Sequence, residues 1–337
     1  MRSVFKSLLS VVIASIAIPA VAQEEVNVYS YRQAFLVEPL FQGFTEETGI
    51  KVNVVFAKKG LAERLQREGA NSPADLIFTV DIGRLNEVVE KDLVQAVDSK
   101  VLTENIPAQY REPGNLWFGL TTRTRSVYAS KERVDLADIQ RYEDLADPKW
   151  KGKICTRSGK HPYNLALIAS MIAHHGEAEA ESWLRGVKAN LARKPQGNDR
   201  AQVKAIYEGE CDLSLGNNYY LGNMLQDPDQ TKWAEAVNIT FPNTNDRGTH
   251  VNISGMALTK SAPNKANAIR LMEYLTGKTA QTIYAEENFE YPVNPTVEPS
   301  ELVASWGSFK SDELALSKIA SLRKAAAQLV DKVGFDQ

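Results

Sequence analysis

The sequence predicts an α/β protein of two domains with a cleft between them. Strand-like and helix-like segments alternate in both halves of the chain, the pattern of a mostly parallel sheet flanked by helices on both faces. The length of 337 residues suits about two domains. No low-complexity linker separates the halves, so strands are expected to join the domains, with ligands bound at the carboxyl ends of strands and at the domain boundary.

The first 22 residues stand outside this fold. Arg2 and Lys6 give a basic start, residues 8–21 are apolar apart from Ser10 and Ser15, and Ala20-Val21-Ala22 fits the small-x-small rule for cleavage before Gln23. The apolar run is short of the ~20 residues needed to span a bilayer. Residues 1–22 are therefore read as a signal peptide, and a bacterial periplasm is the expected location.

The elements follow in order. Residues 26–29 read as a strand, 37–48 as an amphipathic helix stopped by Gly49, and 50–56 as an alternating strand. A short helix at 61–68, a buried strand at 74–78 and a helix at 83–91 complete the first run. Residues 116–120 and 126–129 are extended, with a polar Thr/Arg segment between them. The alternation restarts with a strand at 153–156 and helices at 164–174, 177–192 and 200–208. Then come a strand at 212–215, a helix at 219–226, and strands at 238–241 and 251–258. Helical stretches at 265–276, 279–287 and 313–333 close the chain.

Composition excludes several classes. At 43% hydrophobic and 24% charged residues, the chain has ample core for a folded protein. Lys plus Arg number 39 against 42 Asp plus Glu, a net charge of −3, which argues against nucleic acid as a partner. Two Cys and four His are too few for a zinc ribbon, an iron–sulfur cluster or a disulfide scaffold. Cys155 and Cys211 lie at strand-like positions; in an oxidising compartment pairing is the preferred reading, with two buried thiols as the alternative. Twelve Tyr make the chain rich in phenols.

The sequence contains no H-E-x-x-H, G-x-S-x-G or G-x-G-x-x-G, so an enzyme is not expected. Four polar segments follow strands: 29–33, 121–125, 156–164 and 216–220. Tyr219 and Tyr220 follow a Gly-Asn-Asn turn. They read either as two core aromatics or as phenols presented to a metal. A phenol with a free pKa of ~10 ionises at neutral pH only beside strong positive charge. Fe³⁺ supplies that charge and prefers hard oxygen donors.

Val28-Tyr29-Ser30, Phe44 to Ile50, Ser72 to Asp75, Arg123-Thr124-Arg125, Gly152 to Ser158 and above all Asn217-Asn218-Tyr219-Tyr220 resemble the periplasmic ferric-ion-binding proteins of ABC iron importers. The resemblance covers essentially the whole chain after the leader. It implies a two-lobed type 2 periplasmic binding protein that captures Fe³⁺ between its lobes and delivers it, as a monomer, to an ABC permease in the inner membrane. It implies Tyr163, Tyr219 and Tyr220 as metal ligands, with carbonate or bicarbonate as a synergistic anion. Arg32, Gln33, Arg123, Ser158, Gly159 and Asn198 are the candidate anion-binding residues. Arg125, Arg157 and His161 are weaker candidates near the site.

Gln33 stands where one subclass has a His ligand, Val80-Asp81 where it has a Glu, and Ala34 where some relatives have another Tyr. The lobes are expected to comprise residues 23–122 plus 249–298, and residues 123–248 plus 299–337. The chain would cross between them near Thr122 and again near Thr249. The competing readings are a binding protein of the same fold with an aromatic box for an organic cation, such as a polyamine or thiamine-like solute, and a periplasmic hydrolase.

Overall fold

A computed structural model describes residues 24–337; the leader and its cleavage point lie outside them. The described residues form ten strands: β1 (Glu25–Ser30), β2 (Lys51–Phe56), β3 (Leu76–Thr79), β4 (Val94–Gln95), β5 (Phe118–Ser130), β6 (Ile154–Cys155), β7 (Leu213–Asn217), β8 (Val237–Thr240), β9 (Val251–Thr259) and β10 (Tyr291–Pro292). Their principal order is β2-β1-β3-β9-β5-β7-β6, with β4 on β9, and β8 and β10 on β5.

The alternation read from the sequence corresponds to the parallel part of this mixed arrangement. β1 lies parallel between β2 and β3, and β6 lies parallel to β7. β9 then enters antiparallel between β3 and β5. β5 is shared. Residues 118–124 pair with β9, whereas residues 125–130 pair with β7 and β8.

The expected break between residues 120 and 126 is absent: β5 runs unbroken through the Thr/Arg segment with all its residues buried. Hydropathy reads such a segment as a loop, but its polar groups find partners inside the protein. Thr121 donates to Glu290 at 2.9 Å, Thr124 and Ser126 hydroxyls meet at 2.7 Å, and Arg125 pairs with Asp199 at 2.7 Å. Strand neighbours on its edges satisfy the backbone groups.

The expected helix over residues 313–333 is instead two, Leu316–Ser321 and Arg323–Val333, joined at Leu322. The first packs against the helices Ile82–Glu90 and Pro162–His175, the second against Pro162–His175 and the helix Glu177–Ala189.

Alternation along the strands sends side chains to two cores. Leu76 and Phe78 of β3 join Phe44, Phe118 and Leu258, whereas Ile77 joins a larger cluster that reaches Leu165 and Val330. Cys155 ends β6 and Cys211 precedes β7. The parallel pairing of those strands sets their Cα atoms 5.9 Å apart, and they form a disulfide. Among the described residues no helix is long and apolar enough to cross a membrane.

Candidate functional site

Loops at the carboxyl ends of β1, β6 and β7, together with the middle of β5, converge on a cleft of about 500 Å³. The Asn-Asn pair explains how the two tyrosines are delivered. Asn217 accepts from Arg125 at 3.0 Å through its side chain and from the Tyr128 hydroxyl at 2.5 Å through its carbonyl. Asn218 accepts from the Thr124 amide at 3.0 Å and donates to the Phe289 carbonyl at 3.1 Å. The turn is thereby tied to the shared strand β5. Gly216 is required beside it, because a Cβ there would collide with the Tyr128 ring.

Tyr219 and Tyr220 open the helix Tyr219–Leu225 with ring centroids 4.3 Å apart. Tyr163, in the first turn of Pro162–His175, brings its hydroxyl within 3.3 Å of that of Tyr219. All three phenols line the cleft. Burial pushes the Tyr219 and Tyr220 hydroxyls up from their ordinary pKa, so they are neutral phenols when no cation is present.

Of the residues expected to bind an anion, Arg32, Gln33, Arg123 and Asn198 also line the cleft. Arg32 is held by Glu290 at 2.7 Å, and Arg123 lies 3.9 Å from the same carboxylate. One guanidinium nitrogen of Arg123 donates to the Val80 carbonyl, but its Nε and Nη1 are buried without a hydrogen-bond partner. Burial acts to raise the Glu290 pKa. Arg32 and Arg123 outweigh it and hold the carboxyl below its usual range. Asn198 caps the helix Asp199–Tyr207 by accepting from the Ala201 amide at 3.0 Å.

Ser158 and Gly159 are not brought to the cleft. The Ser158 hydroxyl and the Gly159 amide both donate to Asp336, at 2.5 and 2.7 Å. Both donors are thus directed at that carboxylate rather than at the cleft.

The weaker candidates form a platform. Asp199 is buried between Arg125 at 2.7 Å and Arg157 at 3.2 Å. Both guanidiniums lie over the Tyr163 ring, at 5.9 and 5.4 Å from its centroid. His161 stands edge-on to Tyr163 at 4.5 Å and accepts from its amide at 3.3 Å. Burial, reinforced by Arg157, pushes the imidazole down to about 3, so it is neutral near pH 7.

Sequence reasoning missed five residues that line the cleft: Tyr31, Lys58, Arg84, Arg200 and Glu290. Tyr31 lies in a segment already singled out, and Arg84 stacks on its ring at 4.2 Å. Arg200 lies over Tyr220 at 5.4 Å, two residues beyond the candidate Asn198. Glu290 gave no local signal, because its partner Arg32 is 258 positions away. Among the described residues no group of three or more His, Cys, Asp or Glu is placed to hold a metal.

Residues 71–307 match the family described as bacterial extracellular solute-binding protein. Over 316 residues the chain is 43% identical to iron uptake protein A1 of Synechocystis, covering 93% of this chain and 88% of that protein. The fold superposes on the apo ferric ion-binding protein A of Pasteurella haemolytica with a TM-score of 0.90 and 56% identity, over 93% of this chain and 99% of that one. A Trichodesmium protein (IdiA, FutA) solved with iron and citrate is 44% identical with a TM-score of 0.88, over 92% and 99% of the two chains.

Proposed function

We propose that this chain, which belongs to the bacterial extracellular solute-binding protein family, captures ferric iron in its cleft and hands it to a membrane permease. The observation that carries the proposal is the convergence of Tyr163, Tyr219 and Tyr220 on one cleft that also holds arginines. Three phenolates balance the charge of Fe³⁺ and supply hard oxygen donors. Because Tyr219 and Tyr220 are neutral beforehand, iron must displace their protons, and uptake weakens as pH falls.

Three phenols leave three positions of an octahedral ion open. A bidentate carbonate fills two, and water or another anion fills the last. The unpartnered nitrogens of Arg123 and the neighbouring Gln33 and Asn198 suit such an anion, with Arg32 supplying charge behind them. Six cationic side chains and one carboxylate face the cleft, a field that disfavours an organic cation. The protein binds and releases without turnover.

The proposed lobes remain 23–122 plus 249–298 and 123–248 plus 299–337. All three phenols then lie in the second lobe, so an open form can load iron. Closure brings Arg32 and Gln33 of the first lobe onto the anion, beside Arg123 at the crossing between the lobes. A cleaved leader delivers the chain to the periplasm, where it acts as a monomer beside an ABC permease.

Titration with ferric nitrilotriacetate, with and without bicarbonate, tests the proposal by visible absorbance. A broad tyrosinate-to-iron charge-transfer band is expected, strongest with bicarbonate and abolished or shifted by Tyr219→Phe. Absence of the band in the unaltered protein overturns the tyrosine site. A band of equal strength and affinity without any added anion overturns the anion part.

A further inference from the structure

We propose that Asp336 is a positioning residue for the iron site, acting through the loop that carries Arg157, His161 and Tyr163; this rests on the ferric-tyrosinate reading above. The loop leaves β6 at Cys155 and enters the helix Pro162–His175. Its middle is gripped from outside the cleft by a single carboxylate, which takes both the Ser158 hydroxyl at 2.5 Å and the Gly159 amide at 2.7 Å. Gly159 lies directly on the C-terminal segment. A Cβ there would stand 2.8 Å from Phe335 and 3.1 Å from Val330, so the loop backbone and this segment are in closest contact.

The grip is relayed inward by short links. Asn164 donates to the carbonyls of Arg157 at 3.0 Å and Ser158 at 3.1 Å, and accepts from Arg125 at 2.7 Å. The His161 amide donates to the Ser158 carbonyl at 3.1 Å, and His161 in turn caps Tyr163. A shift of Ser158 and Gly159 therefore moves both Arg157 above the Tyr163 ring and the imidazole at its edge.

The holder is itself fixed. Asp336 follows the helix Arg323–Val333, whose Ala326, Leu329, Val330 and Val333 are buried. At that helix's other end Arg323 stands 3.9 Å from Asp81, which caps the helix bearing the cleft residue Arg84. A carboxylate held by a packed helix and aimed at two donors of a ligand-bearing loop is the arrangement by which outer groups orient metal ligands.

The test compares Asp336→Ala, Asp336→Asn, Ser158→Ala, the double variant Asp336→Ala/Ser158→Ala and Lys160→Ala. Each is titrated with ferric nitrilotriacetate in bicarbonate, and the metal-free proteins are melted in parallel. Asp336→Ala is expected to weaken ferric binding by roughly ten- to a hundredfold and to shift the charge-transfer band. Asp336→Asn should recover part of both, and Ser158→Ala should move them in the same direction. The double variant should match Asp336→Ala, because both changes remove one linkage. Lys160→Ala, whose surface pair with Asp331 lies on the same loop, should leave band and affinity unchanged.

An unchanged band and affinity in Asp336→Ala, beside a normal band in the unaltered protein, overturns the inference and leaves the tyrosine reading intact. A missing band in the unaltered protein overturns that reading instead. Should Asp336→Ala fail to fold, an unchanged Ser158→Ala overturns the inference on its own.

Discussion

Two buried carboxylates flank the cleft, each between two arginines, and they differ in one respect. Asp199 holds Arg125 and Arg157 and accepts the Asn217 amide at 3.1 Å. Arg125 has further partners in Asn217 and Asn164. Glu290 holds Arg32 closely and Arg123 loosely. Both networks leave buried nitrogens without hydrogen-bond partners: Arg125 Nε, Arg157 Nε and Asn217 Nδ2 in the first, Arg32 Nε, Arg123 Nε and Arg123 Nη1 in the second. The difference lies at the guanidinium tips: both terminal nitrogens of Arg125 are bonded, whereas Arg123 Nη1 is not, and an incoming group gains most at such a tip.

Substituting each carboxylate separates the two roles. Asp199→Asn is expected to cost about 4 kcal/mol of stability, because it strands two buried guanidiniums. Urea denaturation of the metal-free protein measures this, and added bicarbonate should restore none of it. Glu290→Gln is expected to cost about 3 kcal/mol. Here added bicarbonate should restore a measurable part of the loss, since the anion replaces the missing counter-charge. Equal recovery in both variants breaks the distinction.

The seam between the networks has its own pH signature. His250, just before β9, accepts from the Arg125 amide at 3.0 Å through its carbonyl, and its amide donates to the Tyr142 hydroxyl at 3.2 Å. Both ring nitrogens are buried without partners. Burial pushes the imidazole down to about 4; Asp312 opposes this, whereas Arg125, His174 and Arg247 reinforce it. An unfolded His takes its proton near pH 6.5, so stability is full above that pH and falls as pH drops toward 4. The expected loss is about 3 kcal/mol, and His250→Leu should flatten that segment of the pH–stability curve. The smallest effect is at Gln33, which is exposed on the cleft wall. Gln33→Ala should weaken ferric binding only a few-fold with bicarbonate present, leaving the charge-transfer band in place. A larger loss would place the principal anion contact at Gln33 rather than Arg123.

Much of the fold was legible because local patterns carried it. Alternation and turn residues marked β1, β2, β3 and the helices between them, and the Gly-Asn-Asn turn marked the Tyr pair. β5 was misread because its interior is polar, and only partners distant in sequence turn Thr121, Arg123 and Arg125 into buried strand residues. Glu290 was illegible for the same reason. Ser158 and Gly159 sit on the loop leading to Tyr163, yet sequence proximity does not tell which side of a loop its donors face. Here they turn away from the cleft, toward Asp336.

The position of β9 has a consequence for how the chain is made. This strand fills the gap between β3 and β5, pairing Leu76 with Leu258 and Arg123 with Asn252. A nascent chain emerging from its amino terminus has synthesised β1, β2, β3 and β5 long before their central neighbour exists. Until then β3 and the first half of β5 have open edges toward each other, an invitation to wrong pairing. The amino-terminal sheet can therefore close only once residues 251–259 are available to pair.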